Sequence, residues 1–186
     1  MATTVVSLLR GVNIVGRHKI KMDVLRGLFE SLGFVNPRTF IQSGNVVFRT
    51  RARDLAKLAG RIEKAIEDSH GFRPAVVLRT CQELREVVAR SPFAGRSGIQ
   101  PSKLAVVFLA RDPGDAARRA IREIRTNPEE LHILGRELYI YFPEGMGQTK
   151  LSVAKLERTL DTLGTARNWN TVNKLLAMAE ELEADA

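Results

Sequence analysis

The sequence predicts an α+β protein made of two ferredoxin-like subdomains, the second of them incomplete. Short apolar and β-branched runs alternate with segments whose apolar residues recur at helical spacing, and the predicted order up to residue 79 is βαββαβ. The remaining residues predict βαββα followed by a terminal helix, which repeats that order without its last strand. A chain of 186 residues is long enough for two small units that share a core.

The first subdomain is predicted from its apolar periodicity and its turn signals. Its four strands are apolar or β-branched runs at 4–9, 39–42, 45–50 and 72–79. A helix with apolar residues between Met22 and Leu32 ends at Gly33. The Ser43-Gly44 pair favours a hairpin between the second and third strands, and Asp54 can cap the helix that follows.

The rest of the chain begins with a connecting segment. Thr80 and Glu83 have the spacing of a capping box, and the stretch 91–102, rich in Gly, Pro and Ser, is the linker candidate. The predicted parts are therefore a subdomain over 1–80, a helix and linker over 81–102, and a second subdomain over 103–186. The elements predicted in the last part are a strand at 104–110, a helix opening at 112–115, hairpin strands at 131–134 and 138–142, a helix through Leu156 and Leu160, and a helix from about Asn170.

Composition limits the compartment and the partners. The chain has 29 Lys and Arg against 21 Asp and Glu, a net charge of +8, so it favours anionic partners such as phosphorylated metabolites, nucleic acid or an anionic surface. Its single cysteine, Cys81, cannot form an internal disulfide and is expected to be structural. We find no signal-peptide pattern and no apolar run approaching the roughly 20 residues of a membrane span, so we expect a cytosolic protein with no membrane partner.

The most basic stretch, 10–21, follows the first predicted strand. It contains Arg10, Arg17, Lys19 and Lys21, and no acidic residue precedes Asp23 in the chain. Gly11 and Gly16 have the spacing of a phosphate-binding P-loop, but Arg17 and His18 stand where that motif needs Lys and Ser or Thr. The stretch therefore predicts an anion-holding loop and does not predict a P-loop NTPase.

The predicted topology gives this loop a neighbour. In a βαββαβ sheet the third strand lies beside the first, so the end of strand one and the turn between strands two and three occupy the same end of the sheet. We therefore expect Arg10 to Asn13 to lie close to the turn at 42–45, which carries amide and hydroxyl groups. A simple hairpin turn is the alternative interpretation of 42–45.

A second candidate segment opens the last predicted helix. Arg167 and Lys174 add charge near a helix N-terminus, where backbone N–H groups and the dipole favour an anion. The structural alternative is that Asn170 caps the helix and that Trp169, the only tryptophan, packs between the two halves. The sequence leaves both interpretations open.

The sequence lacks the residues that several classes of functional site require. An RNA-recognition sheet stacks bases on aromatic residues of its first and third strands, and the only aromatic residue on those strands is Phe48. The three histidines are scattered outside metal-ligand spacing, so the sequence predicts no metal site and no cofactor. We find no nucleophile elbow and no acid–base pair, so catalytic residues stay unassigned.

Five segments of the chain resemble a bacterial family. They are 8–13 (LLRGVN), 19–22 (KIKM), 40–48 (FIQSGNVVF), 152–156 (SVAKL) and 166–172 (ARNWNTV). They are similar to the uncharacterised proteins grouped as domain of unknown function 1697 (DUF1697), over essentially the whole chain. The family pattern has two glycines late in the first loop, whereas Val15-Gly16-Arg17 keeps one. The family's Ser-Lys-Leu-like segment is similar to 149–152 (TKLS) here.

The resemblance implies an α+β fold with two ferredoxin-like subdomains and no established activity. The leading hypothesis from the sequence is a protein that binds a phosphorylated small molecule or nucleotide. Its predicted site residues are Arg10, Asn13, Lys19, Lys21, Gln42, Ser43 and Asn45, with Arg167, Asn168 and Lys174 closing the site from the second half. The alternatives are nucleic-acid binding through a basic face and an enzyme acting on a phosphorylated substrate. The sequence does not fix an oligomeric state.

Overall fold

The computed structural model describes residues 2–14, 16–149 and 151–185. Val15 and Lys150, which belong to two of the motif segments above, lie outside the described residues. The strands are β1 Thr3–Leu9, β2 Val35–Phe40, β3 Asn45–Thr50, β4 Val76–Thr80, β5 Leu104–Leu109, β6 Glu130–Leu134, β7 Glu137–Tyr141 and β8 Gly164–Asn168. The helices are α1 Met22–Ser31, α2 Leu55–His70, α3 Cys81–Ala89, α4 Gly114–Glu123, α5 Val153–Leu160 and α6 Trp169–Ala184.

Two four-stranded antiparallel sheets organise these elements. Their strand orders are β2-β3-β1-β4 and β6-β7-β5-β8, which is the same order twice. In each, the chain runs βαββαβ and then enters one more helix, α3 or α6. The prediction of an α+β fold with two ferredoxin-like subdomains is therefore confirmed.

The prediction that the second subdomain lacks its last strand is wrong. β8 pairs with β5 from Ala105↔Asn168 to Leu109↔Gly164 and completes the sheet. The strand has only five residues, and Thr165, Arg167 and Asn168 give it no apolar alternation, so its sequence looks like a polar connection before a helix.

Strand boundaries in the first subdomain also differ from the prediction. β2 begins at Val35 and carries Pro37 in an irregular part of its pairing with β3, between Val35 and Arg38. Proline is tolerated there because β2 is an edge strand. β4 begins at Val76 rather than at Phe72.

By their internal contacts the residues form two compact units, Met1–Arg85 with Lys174–Ala186, and Glu86–Asn173. The division at residues 80 and 102 stays a prediction. In the first unit, α1 and α2 cover one face of the sheet, where Phe29, Phe34 and Phe48 pack edge-on or tilted with centroids 4.5 to 5.6 Å apart. In the second unit the core contains Leu109, Leu138 and Leu156.

The predicted caps form as expected. The Asp54 carboxylate accepts a hydrogen bond from the Lys57 N–H at 3.0 Å and caps α2. Thr80 and Glu83 form a reciprocal capping box at the start of α3, with distances of 2.8 and 3.1 Å. No helix within the described residues is both long and apolar enough to cross a membrane.

Cys81 lies in the first turn of α3 and is buried. Its burial raises the pKa of the thiol to about 12, because the thiolate would lose its hydration. The Arg85 guanidinium, 3.6 Å from the sulfur, acts in the opposite direction and does not overcome this effect.

We expect Cys81 to resist Ellman's reagent in the native protein at about pH 8.5, where an ordinary free thiol is half ionised. The same chain unfolded in guanidinium should react fully, since the thiol pKa then returns to its usual range. Equal rates in the two states would contradict a buried, unreactive thiol.

Candidate functional site

The connection between β1 and α1 is held by its own backbone. The Arg17 N–H donates to the Ile14 carbonyl at 3.0 Å, and the Asn13 N–H donates to the His18 carbonyl at 3.1 Å. Ile14 and Arg17 form an antiparallel bridge, and Asn13 and His18 adopt left-handed backbone angles. The basic loop is thus a miniature hairpin with a defined shape.

The side chain of Asn13 fastens this loop at both ends. Its Oδ1 accepts from the Ile20 N–H at 2.9 Å, while its Nδ2 donates to the Ile20 carbonyl at 2.9 Å and to the Gln42 carbonyl at 2.8 Å. Both amide donors are thereby used within the protein. Asn13 orders the loop and ties it to the hairpin between β2 and β3.

The hairpin packs against the end of β1 at Gly44. The Leu9 N–H donates to the Gly44 carbonyl at 2.9 Å. A Cβ on Gly44 would lie 2.5 Å from Val12 Cγ2 and 2.8 Å from Leu9 Cβ, and its φ of 74° also favours glycine. The loop and the hairpin are therefore neighbours, as the topology predicted.

His18 fastens the far side of the loop. Its Nδ1 lies 3.1 Å from the Gly11 carbonyl, and its ring stacks on Phe72 with centroids 4.4 Å apart and planes 18° from parallel. Phe72 precedes β4, so the loop is held from the hairpin side by Asn13 and from the β4 side by His18.

A cleft of about 580 Å³ opens beside this loop, and we call it the loop cleft. Its volume is in the usual range for small-molecule sites. Its lining comes from the second half of the loop, the first turn of α1 and the hairpin turn, namely Asn13, Gly16, Lys19, Ile20, Lys21, Met22, Asp23 and Gln42.

The loop cleft combines two exposed lysines with the start of α1. Lys19 and Lys21 are exposed and make no ion pair within the described residues. Lys21 occupies the N-cap position of α1, and no side chain of the described residues caps that helix, whereas Asp54 and Ser152 cap α2 and α5. The first N–H groups of α1 and the positive end of its dipole therefore meet two cationic side chains. Asp23 is the carboxylate of the lining.

The predicted site residues of the first half divide into two groups. Asn13, Lys19, Lys21 and Gln42 line the loop cleft. Arg10, Ser43 and Asn45 are not among the described residues that line it. Asn45 is buried and its Nδ2 donates to the Phe40 carbonyl and to Ser43 Oγ, both at 2.9 Å, so this pair shapes the turn. Arg10 is half-buried after β1, and its N–H donates to the Ala75 carbonyl.

Two of the three residues predicted from the second half, Arg167 and Asn168, have structural contacts inside the second unit. Arg167 is 6% exposed, and its Nη1 donates at 2.8 Å to Thr165 Oγ1 and to the Ala166 carbonyl. Burial lowers the pKa of Arg167 to about 10. Asn168 donates to the Ser102 carbonyl and accepts from the Asn170 N–H, so it stands where Asn170 was expected at the start of α6. Lys174 is exposed on α6. A ligand contact by these three residues stays a prediction.

Sequence reasoning missed the contribution of the α1 start. Met22 and Asp23 line the loop cleft, and neither is among the site residues predicted from the sequence. The available signal was Lys21, because a helix normally begins after Ser, Thr, Asp or Asn. The described residues contain no group of three or more His, Cys, Asp or Glu placed to hold a metal ion.

The second unit provides an internal comparison. The Leu109 N–H donates to the Arg136 carbonyl at the end of β5, as Leu9 does to Gly44 at the end of β1. The following loop there carries Asp112, whose Oδ1 is 2.6 Å from Arg118 Nη2. Hydrogen bonds from the Gly114 N–H and Arg118 lower the pKa of Asp112. The cation at this place is paired, whereas Lys19 and Lys21 make no ion pair with any residue that the structure describes.

The hairpin turn contains one strained residue. Ile41 has a φ of 47° and is 49% exposed. A β-branched side chain is disfavoured in this left-handed conformation, and exposure removes any gain from core packing. Its position next to Gln42 places an exposed apolar group beside the loop cleft.

Comparison with known proteins identifies a family and a fold. A family model described as "Protein of unknown function (DUF1697)" matches residues 2–139. The solved structure of a conserved bacterial protein from Streptococcus pneumoniae is similar with a TM-score of 0.70 and 21% sequence identity, covering 97% of this chain and 99% of that chain. That likeness concerns the fold. A comparison with curated proteins found no significant match.

We expect Gly44→Ala to destabilise the protein more than Gly71→Ala. Both glycines have left-handed φ angles, 74° and 73°, so both variants incur backbone strain of about 1–2 kcal/mol. Only at Gly44 would the new methyl group meet Val12 and Leu9, which adds about 1–3 kcal/mol of overpacking. Urea unfolding measures the difference, and equal losses would contradict the close packing of loop and hairpin.

We expect Ile41→Asn to raise the free energy of unfolding by up to about 1 kcal/mol, because asparagine tolerates the left-handed conformation. Val35→Asn is the matched control, since Val35 is also 49% exposed but has no positive φ. It should leave stability unchanged or lower it. A loss of stability in Ile41→Asn, measured by thermal unfolding, would show that the isoleucine is not strained.

Proposed function

The chain belongs to the DUF1697 family, proteins of unknown function, and we propose that it binds a phosphate-bearing small molecule or nucleotide in the loop cleft. One observation carries the proposal. Lys19 and Lys21 stand without carboxylate partners in the described residues, at the uncapped start of α1. A helix N-terminus with free N–H groups and nearby cations is a general anion site in proteins.

The chemistry of recognition follows from the lining. The two ammonium groups supply charge-assisted hydrogen bonds to phosphate oxygens, and the N–H groups of the first turn of α1 supply directional donors. Gln42 is exposed on the facing turn, and its amide can orient a polar group of the ligand. Asp23 repels additional phosphates on its side, which favours a ligand whose anionic end is compact.

The surroundings suggest an organic part in the ligand. Ile14 and Ile41 are 59% and 49% exposed, on the loop and on the hairpin turn. Exposed isoleucines beside a polar cleft offer apolar contact to a sugar or a base. The strained backbone of Ile41 is then retained for binding rather than for stability.

Base stacking on the sheet is disfavoured. Phe48, the aromatic residue expected on the stacking strands, is fully buried under the helices. A nucleic acid would therefore have to bind through its phosphates alone. Such binding weakens with salt, with a slope of about −0.7 to −0.9 per neutralised phosphate, which separates it from a small-molecule site.

We expect a panel of nucleotides and sugar phosphates to contain at least one ligand whose affinity falls about tenfold or more in Lys19→Gln/Lys21→Gln, because hydrogen bonds to charged groups contribute about 1.5–3 kcal/mol. Arg119→Gln/Arg122→Gln is the control, since it also removes two exposed cations but from α4. Calorimetric titration of each folded variant measures the affinities.

Two results would contradict the proposal. One is that no member of the panel binds, and the other is that the folded lysine variant binds as well as the unaltered protein. Arg10→Ala, measured in parallel, tests whether the half-buried arginine after β1 contributes to the same site.

A further inference from the structure

We propose that the first unit carries a second anion site, at the opposite end of its sheet from the loop cleft, which takes a small ligand bearing several phosphate groups. The site is a cleft of about 630 Å³, here called the arginine cleft. Its lining includes Ala2, Val35, Arg49, Thr50, Arg51 and Arg61. This inference does not depend on the function proposed for the loop cleft.

The topology brings these residues together. Ala2 precedes β1, Val35 begins β2, and Thr50 ends β3, so all three lie at one end of the sheet. β3 pairs with both neighbours there, and Arg49 lies opposite Thr4 on β1 and Val35 on β2. The connection from α1 to β2 and the side of α2 that carries Arg61 complete the walls.

The charged side chains that line the arginine cleft are all positive in the described residues. Among the described residues, its lining contains three arginines and no carboxylate. Arg49, Arg51 and Arg61 make no ion pair within the described part of the chain. Other surface arginines form ion pairs: Arg38 with Glu181 at 3.1 Å and Arg96 with Glu130 at 2.8 Å. Three cationic side chains along one cleft, with no carboxylate in its described lining, raise the local concentration of anions.

A structural role explains only one of the three arginines. The Arg61 Nη2 donates to the Leu32 carbonyl at 2.8 Å, and its guanidinium lies 5.7 Å from the centre of the Phe34 ring. Arg61 therefore closes the C-terminal end of α1, as basic residues commonly do. Arg49 is half-buried and Arg51 is exposed, and neither makes a side-chain hydrogen bond within the described residues. Their placement on one cleft has no structural explanation.

The chemistry selects a polyphosphate-bearing small molecule. The planar guanidinium fork matches two phosphate oxygens at once, and three such groups balance a ligand with several negative charges. The volume of the open cleft is in the small-molecule range. Val35, 49% exposed, adds an apolar contact for an organic part such as a nucleoside.

The test is a calorimetric titration of the full chain with inorganic tripolyphosphate and with ATP. Binding of both is expected, and it should weaken about tenfold or more in Arg49→Gln/Arg51→Gln. Arg53→Gln is the matched control, because Arg53 is an exposed arginine two residues further on that does not line the cleft. The affinity of Arg53→Gln for tripolyphosphate and ATP should equal that of the unaltered protein. If the double variant unfolds, Arg51→Gln alone provides the same test at an exposed position.

Three results would overturn the inference. The folded arginine variant could bind as the unaltered protein does, or Arg53→Gln could lose as much affinity, which would indicate diffuse charge. Tighter binding of oligothymidylate, abolished by the same substitutions, would assign the cleft to nucleic acid instead. Lys19→Gln/Lys21→Gln should leave binding at the arginine cleft intact. The lysine and arginine variants therefore test the loop cleft and the arginine cleft independently.

Discussion

The antiparallel pairing of β1 with β3 is the constraint on which the rest of the first unit depends. The register brings Leu8 opposite Asn45 and lets the Leu9 N–H bond the Gly44 carbonyl, so the β2–β3 turn lies against the end of β1. Because the first and third strands are neighbours in this topology, two segments that are distant in the chain form one surface. The absence of a side chain at Gly44 lets that contact close.

The second unit shows which features belong to the fold and which to this particular surface. The same strand order and the same backbone contact recur at Leu109 and Arg136. There the neighbouring cation, Arg118, is paired with Asp112 and Asp115. The topology therefore produces a loop beside a hairpin in both units, whereas the charge of that place is decided by a few side chains. Function has to be argued from those side chains and not from the fold.

Much of this arrangement could be predicted from the sequence, because it follows from periodicity and caps. Apolar spacing located α1 and α2, and the capping box at Thr80 located α3. β8 was missed because a five-residue strand with three polar residues has no apolar alternation, and only its partner β5 reveals it. The structural roles of Asn13 and Asn45 could not be predicted from the sequence. An asparagine that orders a turn and an asparagine that binds a ligand are the same residue type, and only their contacts distinguish them. The arginine cleft depends on contacts between distant segments, which local patterns do not encode.

The fastening of the loop by Asn13 has a consequence for the time course of binding. A loop already held by three side-chain hydrogen bonds and a stacked His18 has little conformational freedom left to lose. The loop cleft would be preorganised before a ligand arrives. The association rate would then be set by diffusion and charge attraction rather than by a slow closing movement of the loop. Affinity differences between chemically similar ligands would then arise from how quickly each one leaves.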